Sequence, residues 1–136
     1  MSESPAKLDS LRDGSVLLFS KERYITDPTS HNLVMVLMCL KDSWVHLPQG
    51  NEGAQAALVV GPSGGRYFPI YSQPAQAEGQ PIALREAPYV QCVRWAHECD
   101  CIEGLVLDPF TKPMVLPFPF ADAAANIDTR NAPYRE

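Results

Sequence analysis

The chain has 136 residues, 46% of them apolar, and a formal net charge of −5. That length suits a single domain, whose folding hides roughly two thirds of the surface the unfolded chain exposes. Its basic residues are scattered singly, so the sequence offers no basic cluster for a nucleic-acid backbone or an anionic membrane surface. Thirteen prolines and eight glycines are more punctuation than a helical bundle tolerates.

Residues 1–12 are polar and read as a flexible lead, without the charged-then-apolar order of a signal peptide. Ser15, Val16, Leu17, Leu18 and Phe19 suit a first strand or an apolar arm, which periodicity alone does not separate. Thr29 or Ser30 then supplies a cap for a first helical turn. Residues 31–41 are apolar almost all round. Leu33, Val36, Leu37 and Leu40 share a face at helical spacing, and Val34, Met35 and Met38 fill much of the rest. The expectation is a helix buried on more than one side, with a strand as the alternative because Val34 and Val36 are β-branched. The run is too short to span a bilayer.

Trp44 and His46 alternate with Val45 and Leu47 in a strand that stops at Pro48. Residues 56–60 and 66–71 flank Gly61, Pro62, Ser63, Gly64 and Gly65, a β-hairpin signal in which Pro69 is confined to an edge or a bulge. Ser72 is expected to cap a short helical turn through Glu78, closed by Gly79. Residues 81–85 form a weak strand. Pro88 suits the first turn of the clearest amphipathic helix, running to about Glu98 with Tyr89, Cys92, Val93, Ala96 and Cys99 on one face. Leu105, Val106 and Leu107 form a buried strand stopped by Asp108 and Pro109. Met114, Val115 and Leu116 are its hairpin partner, and 121–125 gives a last short helix.

This order lacks the regular alternation of a doubly wound parallel sheet. The expected class is α+β: a mainly antiparallel or mixed sheet with two main helices packed against it. One domain spans 13–125, between the flexible residues 1–12 and a tail over 126–136.

Cys92, His97, Cys99 and Cys101 are the one close grouping of metal-ligand residue types. Zinc holds its donors about 2.0 to 2.3 Å from the ion. Cys92 and Cys99 share a helical face but lie roughly 10 Å apart along the axis, so they cannot reach one ion while the helix is intact. Only His97 and Cys101 are well placed as a pair. Cys99 and Cys101 could also form a redox pair, yet thiols near a helix C-terminus face the negative end of the dipole, and Glu98, Asp100 and Glu103 oppose the thiolate further. The reading adopted is that the cysteines, Cys39 included, are small core residues. Gly61 to Gly65 lacks the Lys-Ser/Thr ending of a phosphate-gripping loop and is followed by a strand, so it reads as a hairpin turn. His31 and His46 have no acidic or nucleophilic neighbour in sequence. Phe110, Pro113, Phe118, Pro119 and Phe120 form an aromatic–proline cluster that either lines the core or makes a partner surface.

Three stretches carry a resemblance. The apolar run 33–40 leads into Trp44-Val45-His46-Leu47-Pro48. The second is Gly65-Arg66-Tyr67-Phe68-Pro69-Ile70-Tyr71-Ser72, and the third Gly104-Leu105-Val106-Leu107-Asp108-Pro109. Over roughly residues 32–117 the chain resembles the SseB-like family, named for the enhanced serine sensitivity protein, in its N-terminal domain. It departs from that pattern in lacking a threonine before Ser72 and in carrying Asp108 where asparagine is usual; aspartate and asparagine serve similarly in turns. The resemblance implies an α+β domain and brings no catalytic residue with it.

The functional expectation is a non-catalytic protein-interaction or regulatory module in a reducing cytoplasm, with its cysteines free. A protein partner or self-association is expected through Phe110, Pro113, Phe118 and Phe120. No nucleic acid, membrane, metal or cofactor is expected. The alternative is thiol or sulfur chemistry, or metal binding, at Cys99, Cys101 and His97.

Overall fold

The protein is described by a computed structural model over residues 11–51, 58–61, 64–100 and 102–133. Helix α1 spans Ser15–Thr26 and α2 spans Ser30–Asp42. Strands β1 (Trp44–Pro48), β2 (Val59–Val60), β3 (Arg66–Ile70) and β4 (Leu84–Pro88) follow, with a 3-10 turn at Pro74–Ala77 between the last two. Helix α3 (Tyr89–His97), strands β5 (Gly104–Leu107) and β6 (Met114–Pro117), and helix α4 (Phe118–Asn126) complete the order. The class is α+β, as the sequence predicts.

Two sheets form. Strands β1 and β4 pair antiparallel, with Val45 opposite Ala87. The second sheet runs β2-β3-β5-β6. Its centre is a parallel pair, Phe68 beside Leu105 and Ile70 beside Leu107, flanked by antiparallel neighbours on either side. A parallel pair needs a long crossover, and the segment carrying β4 and α3 supplies it. An antiparallel bridge between His46 and Tyr71 joins the two sheets.

Alternation along the strands sorts the side chains. Phe68, Ile70, Leu105, Leu107, Met114 and Leu116 enter one core with Val36, Leu37 and Leu40 of α2, Tyr89, Cys92, Val93 and Ala96 of α3, and Ala121 and Ala124 of α4. Tyr89 Oη donates to the Ala121 carbonyl (2.9 Å), so this buried hydroxyl is satisfied and pins α3 to α4. Thr29 caps α2 as expected, its Oγ1 accepting from the Asn32 amide at 3.1 Å.

Pro69 sits on the edge side of its strand. The carbonyls of Arg66 and Ile70 accept from Glu103 and Asp108, so even-numbered residues of β3 bond toward β5. The missing donor of Pro69 therefore faces the other way, where β2 reaches only to Tyr67.

Three expectations need correction. Residues 15–19 are neither strand nor arm but the first half of α1. The face that α1 buries is Leu17, Ser20 and Lys21, with Tyr24 half-buried beside them. Two of these are polar, while Phe19 and Ile25 point outward. Hydropathy therefore hides the helical period. Ser72 caps no helix: its Oγ donates to Asp108 Oδ2, and the 3-10 turn starts after Gln73 without a side-chain cap. The weak strand placed at 81–85 lies further on, at Leu84–Pro88. Of the N-terminal lead, residues 1–10 lie outside the described residues, whereas Leu11 packs into the core. In the segment after α4, Thr129 and Ala132 are buried and Ile127 packs against the core; 134–136 lie outside the described residues.

Candidate functional site

The sheet face turned away from the helices carries Tyr67, Tyr71 and Val106, which are buried yet stand apart from the main core. Among the described residues they belong to no helix-packed core cluster. The loop after β5 folds over this face, and the ring of Phe110 stacks on that of Tyr71 with centroids 6.2 Å apart. Two grooves open on either side of Phe110. The larger, about 530 Å³, is walled by Val60, Tyr67, Val106, Phe110, Pro113 and Val115. The smaller, about 410 Å³, is walled by Pro48, Leu58, Pro69, Tyr71, Ile82 and Phe110. Val59 and Phe110 line both, and no charged side chain lines either among the described residues.

Apolar groups stand open at this face. Val60 is 70% exposed, Phe110 44% and Val115 37%. Isolated exposed apolar residues are ordinary; here all three border one groove. The β6 edge beside this groove is blunted. Phe118 donates to the Glu103 carbonyl, so the paired register turns Met114 and Leu116 toward β5 and leaves Pro113, Val115 and Pro117 on the outer side. Two of those three have no N–H to offer an added strand.

The expected aromatic–proline cluster divides between two places. Phe110 and Pro113 line the larger groove. Phe118 is half-buried and stacks on the His97 ring with centroids 4.1 Å apart, and Phe120 is exposed on α4.

Among the described residues, the cysteine and histidine candidates do not converge. Cys39 and Cys92 are buried, and Cys99 is half-buried with its Sγ 3.6 Å from the Trp95 carbonyl. Burial pushes the Cys92 thiol up to about 12. Cys39 is raised mainly by burial, against a hydrogen bond with Ser20 that opposes the rise. Cys99 is raised by burial and then by Glu98 and Asp100. All three environments disfavour the thiolate. His97 Nε2 bonds Asp122 Oδ1 at 2.7 Å. Cys101 lies outside the described residues, and among those residues no three His, Cys, Asp or Glu side chains come close enough to hold a metal ion. His31 borders a shallow pocket with Phe19, Arg23 and Met35. His46 sits across from Glu86 on the paired strand, and burial lowers its pKa.

Sequence reasoning missed a buried polar network near Tyr71. Lys21 Nζ donates to Asp108 Oδ2 at 2.8 Å, and both side chains are fully buried. Ser72 donates to the same carboxylate twice, from its amide to Oδ1 and from its hydroxyl to Oδ2, each at 2.8 Å. Asp108 has φ 56, a left-handed conformation that aspartate and asparagine enter more readily than most residues. Asparagine would satisfy that backbone; aspartate also supplies the charge that answers Lys21. Next to the network, Tyr71 Oη is buried with no hydrogen-bond partner among the described residues. The available signals were a lysine amid apolar residues at 16–21 and a charged residue at a strand end.

No protein-family model matches the chain, and no curated protein or solved structure matches it. No helix among the described residues is long and apolar enough to cross a membrane.

Proposed function

We propose that this chain is a non-catalytic, SseB-like protein-interaction module of the cytoplasm, and that it meets its partner through the exposed apolar residues around Phe110. The partner is a protein surface or a second copy of the chain. The observation that carries this reading is that Val60, Phe110 and Val115 stand exposed around a groove that no charged side chain lines among the described residues. Burying such residues releases about 25 cal/mol per Å² of apolar area, the usual driving force of association. Aromatic anchors such as Phe110 commonly carry much of an interface's energy.

Three local features support the SseB-like part of the proposal: α2 leading into a strand that ends at Pro48, Pro69 on the edge side of β3, and a turn at Asp108 closing β5. The unbridged thiols of Cys39 and Cys92 support a reducing compartment.

The test is sedimentation velocity combined with affinity capture, on the wild type and on Phe110→Glu and Val60→Glu. A complex or self-associated species that both substitutions dissolve supports the proposal. A lone monomer with identical capture profiles for all three proteins rejects it.

A further inference from the structure

Asp108 follows β5 directly and Phe110 comes two residues later, so whatever holds the aspartate also aims the phenylalanine. The Asp108 carboxylate accepts from Lys21 Nζ and Ser72 Oγ at Oδ2 and from the Ser72 amide at Oδ1, each at 2.8 Å. The Thr111 amide donates back to the Asp108 carbonyl (3.3 Å), and Thr111 Oγ1 donates to Gln76 Oε1 (2.6 Å), which tethers the turn at its far end. Ser72 is the chain neighbour of Tyr71, whose ring stacks on that of Phe110. One carboxylate thus clamps together the two backbones that carry the stacked rings.

The cation of this clamp comes from α1. Lys21 is fully buried and lines neither groove beside Phe110. The start of α1 meets the same region a second time. The Gly14 backbone lies so close to the Ser72 carbonyl that a Cβ there would collide, and Gln73 Nε2 donates to the Asp13 carbonyl at 3.1 Å. Charge-assisted hydrogen bonds are the strong ones, and a buried carboxylate without its counter-charge is costly. Without Lys21, Asp108 lowers that cost by turning toward water. Its backbone runs straight into Pro109 and Phe110, so the ring leaves its place with it.

We propose that Lys21 is a positioning residue for the Phe110 face: through Asp108 and Ser72 it sets the pose in which Phe110 lies on Tyr71, and it makes the seating of α1 a control on that face. This deepens the interaction reading above and rests on it for the use of the face. Its test concerns the pose alone and is run on the isolated chain, so the two fail separately.

The experiment places para-fluorophenylalanine at position 110 and records fluorine NMR. In the wild type the Tyr71 ring current displaces the resonance from that of the free amino acid. Lys21→Met removes most of this displacement. Ser72→Ala, which keeps the ion pair and loses one donor, removes a smaller part. Lys21→Met combined with Asp108→Asn leaves no buried charge and keeps a residue suited to the left-handed turn, so it restores the wild-type line. Leu40→Ala, a core substitution in α2 that removes none of these bonds, destabilises the chain and leaves the line in place. If Lys21→Met alone does not fold, Ser72→Ala and the double variant decide. The proposal is overturned by a wild-type line at the position of the free amino acid, by folded Lys21→Met or Ser72→Ala with the wild-type line, by a double variant that does not restore it, or by an equal displacement in Leu40→Ala.

Discussion

Lys21 and Asp108, 87 residues apart in sequence, form an ion pair of 2.8 Å with neither side chain exposed to solvent. The pair ties the N-terminal helix to the end of the central strand β5. A buried charge left alone is far costlier than the pair is favourable. Asp108→Asn and Lys21→Met should each cost about 3–5 kcal/mol, a large share of the ~5–15 kcal/mol that stabilises a typical domain. The double variant removes both charges, keeps a residue suited to the left-handed turn, and should recover more than half of the Asp108→Asn loss. Urea unfolding measures all three. Additive losses would show that the two residues are not energetically coupled.

Two glycines sit where no side chain fits. A Cβ at Gly14 would collide with the Ser72 carbonyl, and the φ of 85 is strained for any other residue. A Cβ at Gly104 would strike the Leu116 carbonyl across the β5–β6 pair. Gly14→Ala should loosen α1 from the end of β3, and Gly104→Ala should separate β5 from β6. Each should lower stability by about 2 kcal/mol or more, within the range of severe backbone effects. Amide exchange maps the damage: accelerated exchange near Lys21 for the first and across residues 104–117 for the second.

The thiols should behave as packing. With Cys92 held near 12 and Cys39 and Cys99 also raised, iodoacetamide at neutral pH should modify these three more slowly than free cysteine. Mass spectrometry of digests resolves each site. Above pH 9 the unfolded chain loses thiol protons that native Cys92 keeps until about 12, so stability falls as pH rises through that window. Fast alkylation of Cys99 would instead revive a thiol chemistry.

His46 gives the opposite sign at acid pH. Burial lowers its pKa below 6.5, against an opposing pull from Glu86 and with a lesser push from Arg12. Above 6.5 the ring is neutral in both states and its contribution is complete. As pH falls below 6.5 the unfolded chain takes up a proton that the native chain resists, so stability drops. His46→Gln should flatten this part of the profile, as read by thermal melts between pH 5 and 8. An unchanged slope would place the titrating group elsewhere.

Much of the architecture was legible because burial and hydropathy agree. The alternation at Val45 and Leu47, the greasy face of α2 and the Tyr89–Ala96 stripe of α3 each mark one buried side. α1 was not legible, because its buried face holds Ser20 and Lys21 while Phe19 faces solvent. Lys21 is tolerated there only because a carboxylate arrives from residue 108, and sequence spacing gives no sign of that pairing. Ser72 was misread for the same reason: its partner is distant, not the next turn. Of the site, Phe110 and Pro113 were visible as an aromatic–proline cluster. Their division from Phe118 and Phe120 depends on which face each element turns outward. That Tyr71 Oη has no partner among the described residues is a property of packing alone.

The most direct test of the central claim is site-specific photo-cross-linking in the cell, with benzoyl-phenylalanine placed at Val60, Phe110 or Val115 and, as a control, at Ile25 on the far side of α1. The account predicts a discrete protein adduct from the three sheet-face positions and none from position 25. Adducts from position 25 alone, or from none of the four, would contradict it.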